Sequence, residues 1–232
     1  MQEIGFDIIS DLNLNPNDSF NWENKATSLY CIVAGNISND MRTVIQVLMH
    51  LAIKYQGVFF VPGRLEYENC ESIKRRTDEL NAIATGIPNV VMLHHNVIVI
   101  DGVAILGTNG WENIGKDITA YNLIMASARH EDFSYLYKCL GKLQRHLDVK
   151  KIVIVTSAVP HDNLYFGERP DDLSDQIPLC EVIEADTEHK VTHWVFGTYE
   201  KNVDTVIDNI NYINNPYNHV MPYYAKRLPI LI

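Results

Sequence analysis

Residues 29–63, LYCIVAGNISNDMRTVIQVLMHLAIKYQGVFFVPG, decide how this chain is layered. The run 29–34 is short, apolar and rich in strand formers, and Gly35-Asn36 closes it. Ser38-Asn39-Asp40 then supplies cap-type side chains ahead of a helical pattern. Met41, Val44, Ile45, Leu48, Leu51 and Ala52 recur every three or four positions, which makes one apolar stripe. Residues 58–61 are a second buried run, stopped by Pro62-Gly63. Strand, helix and strand in succession predict α/β layering with a partly parallel sheet. Continuous rather than alternating hydrophobicity suits strands covered on both faces.

The same style extends outward. Phe6, Ile8 and Ile9 form a strand that runs into Ser10-Asp11-Leu12. Downstream, 90–93, 97–100 and 103–106 are short strands, the last two joined by Asp101-Gly102, a strong hairpin signal. A helix is expected over 121–147, with Lys138, Lys142 and Arg145 on its exposed side. Further strands are expected at 152–155, 191–196, 203–207 and 211–213, and 160–178 reads as a long functional loop. No repeat or linker divides the chain, so 1–232 is read as a single domain.

Composition narrows the class. The 232 residues are 47% hydrophobic and 21% charged, values of an ordinary globular chain. A net charge of −10 argues against a broad basic surface for nucleic acid. Cys31, Cys70, Cys139 and Cys180 lie far apart, with no C-x-x-C pair to suggest a zinc site or a disulfide framework. MQEIGFDIIS has no basic leader, and no apolar run approaches ~18 residues. The expectation is a cytoplasmic protein without a membrane segment.

In layered α/β proteins, sites collect beyond the carboxyl ends of strands. Here those ends carry Asp11-Leu12-Asn13, Gly35-Asn36, Gly63-Arg64-Leu65-Glu66, Thr156-Ser157 and Gly197-Thr198-Tyr199-Glu200. In order and spacing they resemble the motifs of the calcineurin-like metallophosphoesterases: D-x-H, G-D, G-N-H-E, a Thr-His pair and G-H-x-H. VAILGTNGW at 103–111 is similar to a G-T-x-x-W segment of bacterial and phage members, and Asn214-Asn215-Pro216-Tyr217 to the family's late Asn-Pro turn. The resemblance covers nearly the whole chain. It implies a four-layer α/β/β/α sandwich, two mixed β-sheets flanked by helices.

It also implies a dinuclear manganese, iron or zinc centre, its ions roughly 3.5–4 Å apart. Against that pattern, only Asp11 is unchanged among the metal-ligand positions. Asn13, Ser157 and Thr198 replace histidines, and Glu200 replaces the last one with a carboxylate. Asn36 replaces the bridging aspartate, and a neutral amide cannot balance adjacent dications. Arg64 takes the place of a ligand asparagine, and its guanidinium stays protonated and repels a metal. Leu65 stands where the family has a catalytic histidine and has no proton to give. The expectation is a remnant site without metal, in which Arg64 pairs with Asp11 and also with Glu200.

Bland readings compete. Arg64, Asn13, Asn36 and His161 are the candidate ligand-binding residues, but a loop histidine is more often a bystander. His94-His95 invites a metal reading, yet neighbours on a strand face opposite sides. Lys74-Arg75-Arg76 and the run of Lys142, Arg145, His146, Lys150 and Lys151 read as solvated surface. Three functions follow. The first is a pseudo-phosphoesterase that binds or scaffolds a protein partner or assembles as a homo-oligomer. The second is a residual metal-dependent phosphoesterase using Asp11, Glu200 and His161. The third is a non-hydrolysing receptor for a nucleotide or phosphate. The balance is against an enzyme.

Overall fold

The computed structural model describes residues 3–23, 25–112, 120–166, 177–217 and 223–232. The strand–helix–strand unit forms as its pattern dictates. β1 (Glu3–Ile9) pairs in parallel with β2 (Tyr30–Ala34), which leads through α1 (Met41–Lys54) to β3 (Gly57–Val61), again parallel. Asp40 starts α1 by accepting from the Thr43 N–H at 3.0 Å, which satisfies a donor that the first turn leaves open. α2 (Ile73–Gly86) follows, then β4 (Val90–Met92), parallel to β3.

β5 (Asn96–Ile100) and β6 (Val103–Thr108) form the expected hairpin. Asp101 (φ 44°) and Gly102 (φ 84°) both take left-handed backbone, as a two-residue turn matched to strand twist requires. α3 (Ala120–Leu143) leads to β7 (Lys151–Thr156), and β8 (Val191–Phe196), β9 (Asp204–Ile207), β10 (Ile210–Ile213) and β11 (Lys226–Leu231) complete the strands. One sheet runs β11-β1-β2-β3-β4 and the other β5-β6-β7-β8-β10-β9, both mixed.

The sheets face each other across Phe6, Ile8, Ile32 and Val61 on one side and Ile105, Val153, Val155 and Val195 on the other. α1 and α2 cover the outer face of the first sheet, where Val44, Leu48, Leu51 and Leu80 are buried. α3 and a short 3-10 segment, Leu179–Ala185, cover the second through Leu136, Leu140, Leu179 and Val182. This is the expected α/β/β/α order, with the middle strands buried on both faces.

Some elements differ from the sequence reading. The basic stretch at 74–76 lies in the first turns of α2, and β11 was not foreseen. α3 ends at Leu143, four residues short of the expected limit. The proposed loop begins and ends in 3-10 turns at Asp162–Tyr165 and Leu179–Ala185, while 167–176 lie outside the described residues. All four cysteines are free. Among the described residues no helix is long and apolar enough to cross a membrane.

Candidate functional site

The ends of β1, β2, β3 and β8 converge on one cleft of about 610 Å³. Asp11, Asn13, Asn36, Arg64, Leu65, Thr198 and Glu200 all line it, joined by Lys201. Ser157 lies just behind, lining a 20 Å³ recess that Arg64 and Thr198 share with Trp111 and Glu112. His161 is not among the residues lining either space. Its Nδ1 instead accepts from the Asn163 N–H at 3.0 Å and starts the turn 162–165.

The strand-end residues reach the cleft through unusual backbone. Asp11, Asn13, Asn36 and Thr198 all have φ between 47° and 57°, a region that Asn and Asp tolerate better than most residues. Gly197 permits the approach of β8 to β2: a Cβ there would lie 2.1 Å from the Ala34 carbonyl oxygen. The Asn-Pro turn ties the far side. Asn215 donates to the carbonyls of Ile8 and Tyr224, and Asn214 donates to those of Tyr199 and Lys201.

Asp11 is the centre of a closed polar set. Its Oδ1 accepts from Asn36 Nδ2 at 2.9 Å and from the Thr198 N–H at 2.8 Å. Asn36 Nδ2 also reaches Thr198 Oγ1 at 3.2 Å, and that hydroxyl meets Ser157 Oγ at 3.2 Å. Asn36 Oδ1 is turned away, accepting from the Leu65 N–H at 3.1 Å. Asn13 Nδ2 folds back on the Asp11 carbonyl. Asp11 Oδ2 is buried and finds no donor in hydrogen-bonding geometry among the described residues. Burial pushes the Asp11 carboxyl up to about 7, against the pull of Asn36 and the Thr198 N–H.

Glu66, retained from the third motif, has a different task. It is fully buried and its two oxygens accept from the backbone N–H groups of Asn36, Ile37, Ser38 and Gly63, at 2.6–3.2 Å. It therefore fastens the loop after β2 to the turn after β3. Desolvation raises its carboxyl above the ordinary value, and those four donors oppose the rise. Sequence reasoning placed Glu66 in the motif without assigning it this work; three donors in the adjacent loop give no signal of their own in sequence.

Arg64 corrects an expectation. It is exposed, and it forms no ion pair with Asp11 or Glu200 among the described residues. It stands just before the 3-10 turn Leu65–Tyr67 and lines both the cleft and the recess behind it. The acid that shares the recess with it is Glu112. Burial raises its carboxyl, and Arg129 and Arg64 pull it back. Glu112 also accepts from the Val159 N–H and the Tyr165 hydroxyl.

No family model matches the chain. Phosphopantetheinyl hydrolase (PptH) from Mycobacterium tuberculosis superposes with a TM-score of 0.70, at 15% identity, over 97% of this chain and 96% of that one. The fold is metallophosphoesterase-like. A putative 5′-nucleotidase from Staphylococcus aureus, in complex with alpha-ketoglutarate, gives a TM-score of 0.56 at 14% identity, over 98% of this chain and 51% of that one. GAP50, the anchor in the inner membrane complex of Plasmodium, gives 0.54 at 9% identity, over 92% and 71%. Among curated sequences, an uncharacterized protein of Acanthamoeba polyphaga mimivirus is 24% identical over 127 residues, 49% of this chain. The matched region spans 42% of that relative's length.

Proposed function

We propose that this chain is a non-hydrolysing protein of the metallophosphoesterase-like fold that acts by binding a protein partner. The observation that carries the reading is the direction of the groups around Asp11. The carboxylate faces an amide N–H and a backbone N–H, both donors, where a metal pair needs further acceptors. The amide oxygen of Asn36 is already engaged by the Leu65 N–H. No imidazole lines the cleft among the described residues, and a guanidinium does. This donor set does not fit a dinuclear centre. A protein-binding role has a surface to use: Met49 and Ile53 lie one turn apart and exposed on α1, and exposed Leu29 is hydrogen-bonded to Gln56 just past that helix. GAP50 offers a precedent, an anchor built on this fold.

The test is an aryl phosphodiester assay of the purified chain with added manganese, run beside affinity capture from the native host. The expected result is no turnover that depends on Asp11, together with a stoichiometric protein partner. Hydrolysis abolished by Asp11→Asn would overturn the reading in favour of a residual phosphoesterase.

One observation favours a second reading. Arg64, which forms no ion pair among the described residues, lines the 610 Å³ cleft, and its guanidinium is able to receive a phosphate without cleaving it. On this reading a nucleotide or phosphate monoester raises the melting temperature of the wild type. Arg64→Ala should remove that rise while lowering the unliganded melting temperature only slightly, since Arg64 is exposed and acts on Glu112 beside Arg129 without an ion pair among the described residues.

A further inference from the structure

Away from the cleft, His94, His95 and Asp132 come together at the junction of β4, β5 and α3. Leu93-His94-His95 is not strand but the turn between β4 and β5. His95 adopts left-handed backbone there, φ 53°, which undoes the alternation that would send neighbouring side chains to opposite faces. The two imidazoles consequently lie side by side, ring centroids 4.4 Å apart and 12° from parallel. The sequence expectation that the two side chains face opposite sides of a strand is corrected by this one dihedral.

Asp132, buried on the inner side of α3, completes the group. Its Oδ1 meets His95 Nε2 at 2.7 Å, and its Oδ2 accepts from the Gly110 N–H at 2.7 Å. One ligand atom from each of the three residues lies within 4.8 Å of the others. We infer that His94, His95 and Asp132 form a binding site for a single zinc-type divalent ion.

The surroundings support a ligand at this place. His94 Nδ1 is buried and without a hydrogen-bond partner among the described residues, an expensive arrangement for a polar atom unless something joins it. Two imidazoles and one carboxylate are a donor set suited to zinc, and to nickel or cobalt as its substitutes. The site opens into a cavity of about 360 Å³, also lined by Thr77, Ser127 and Glu131, leaving room for water or Glu131 in the remaining position. Binding needs the donors to rearrange: His95 Nε2 and Asp132 Oδ1, now 2.7 Å apart, separate to the ~3.3 Å that two ligands of a tetrahedral ion with ~2.0–2.1 Å bonds keep, and His94 closes on them. The proton shared in the contact of His95 Nε2 with Asp132 Oδ1 leaves to solvent as both atoms turn to the ion.

This ion would have a structural reach. Asp132 already holds the Gly110–Trp111 loop, and Trp111 separates this cavity from the recess beside Arg64 and Ser157. The site is independent of the phosphoesterase cleft, because none of its ligands lines that space.

The experiment uses the full chain, stripped with a chelator and titrated with zinc by calorimetry, and with cobalt by visible absorption. The expected result is one equivalent bound at micromolar or tighter affinity, with the intense cobalt bands of a four-coordinate site. His94→Ala should weaken binding at least tenfold, while the metal-free melting temperature falls only by what the lost stacking on His95 contributes, because His94 Nδ1 makes no hydrogen bond among the described residues. His161→Ala and Asp11→Asn should leave the titration unchanged, which separates this site from the cleft. No saturable binding by the wild type would overturn the inference. So would binding that His94→Ala leaves intact.

Discussion

Replacing Glu66 by glutamine is expected to cost roughly 4 kcal/mol or more and to leave much of the chain unfolded or insoluble. The carboxylate serves four backbone donors with two acceptor oxygens. An amide keeps one oxygen and turns its NH2 group towards two N–H groups that then have no acceptor. The side chain is fully buried, so water does not replace the lost bonds. Against a total stability of about 5–15 kcal/mol, a loss of that size is a large fraction. Glu66→Asp should fare little better, since the shorter side chain cannot span from the turn after β3 to the Asn36 loop. Urea unfolding midpoints, or soluble yield where the variant does not survive purification, measure the effect. A change below about 1 kcal/mol would mean that the two loops hold together without this carboxylate.

Legibility in sequence followed the range of the interactions. The strand–helix–strand unit and the Asp101-Gly102 hairpin were readable because their determinants are local: a stripe, a cap, two left-handed residues. The fold as a whole came from the resemblance of five strand ends, and the superposition agrees with it. β11 escaped notice because its meaning is non-local. Glu3 pairs with Leu231, and Pro229, which reads as a breaker, is harmless on an edge strand facing Gly5. α2 escaped because KRRTDELN is polar, and only Leu80 and Ala84 of that helix are fully buried. At the site, sequence named the residues that line the cleft but not the direction in which they point. Arg64 was expected to pair with Asp11 in place of the lost positive charge, whereas it is exposed and forms no ion pair with Asp11 among the described residues. His94 and His95 were judged by strand geometry that a single positive φ cancels. A substitution tells which chemistry has been removed, and only the backbone tells what the new side chain meets.

Asp11→Asn should make the protein more stable at alkaline pH, the reverse of what removing a metal-ligand carboxylate would do. The carboxyl titrates near 3.8 when unfolded and at about 7 when folded, because burial penalises its charge. Between those values the folded chain holds a proton that the unfolded chain has lost. Stability carried by the protonated acid is therefore fully present below about pH 4 and declines as pH rises, by up to a factor of ten in the folding equilibrium per pH unit. The decline levels off above about 7, after a total on the order of 4 kcal/mol. An asparagine at this position keeps an oxygen for Asn36 and the Thr198 N–H, suits the φ of 50°, and does not ionise. Glu66 and Glu112 titrate in both chains, so the difference between wild type and variant isolates position 11. That difference should move in favour of Asp11→Asn by roughly 2–3 kcal/mol between pH 5 and pH 8, read from urea midpoints. Manganese in the buffer should leave the trend unchanged. If manganese instead stabilises the wild type and not the variant, the ionised carboxylate is holding a cation, and the closed polar set around Asn36 and Thr198 must open to admit it.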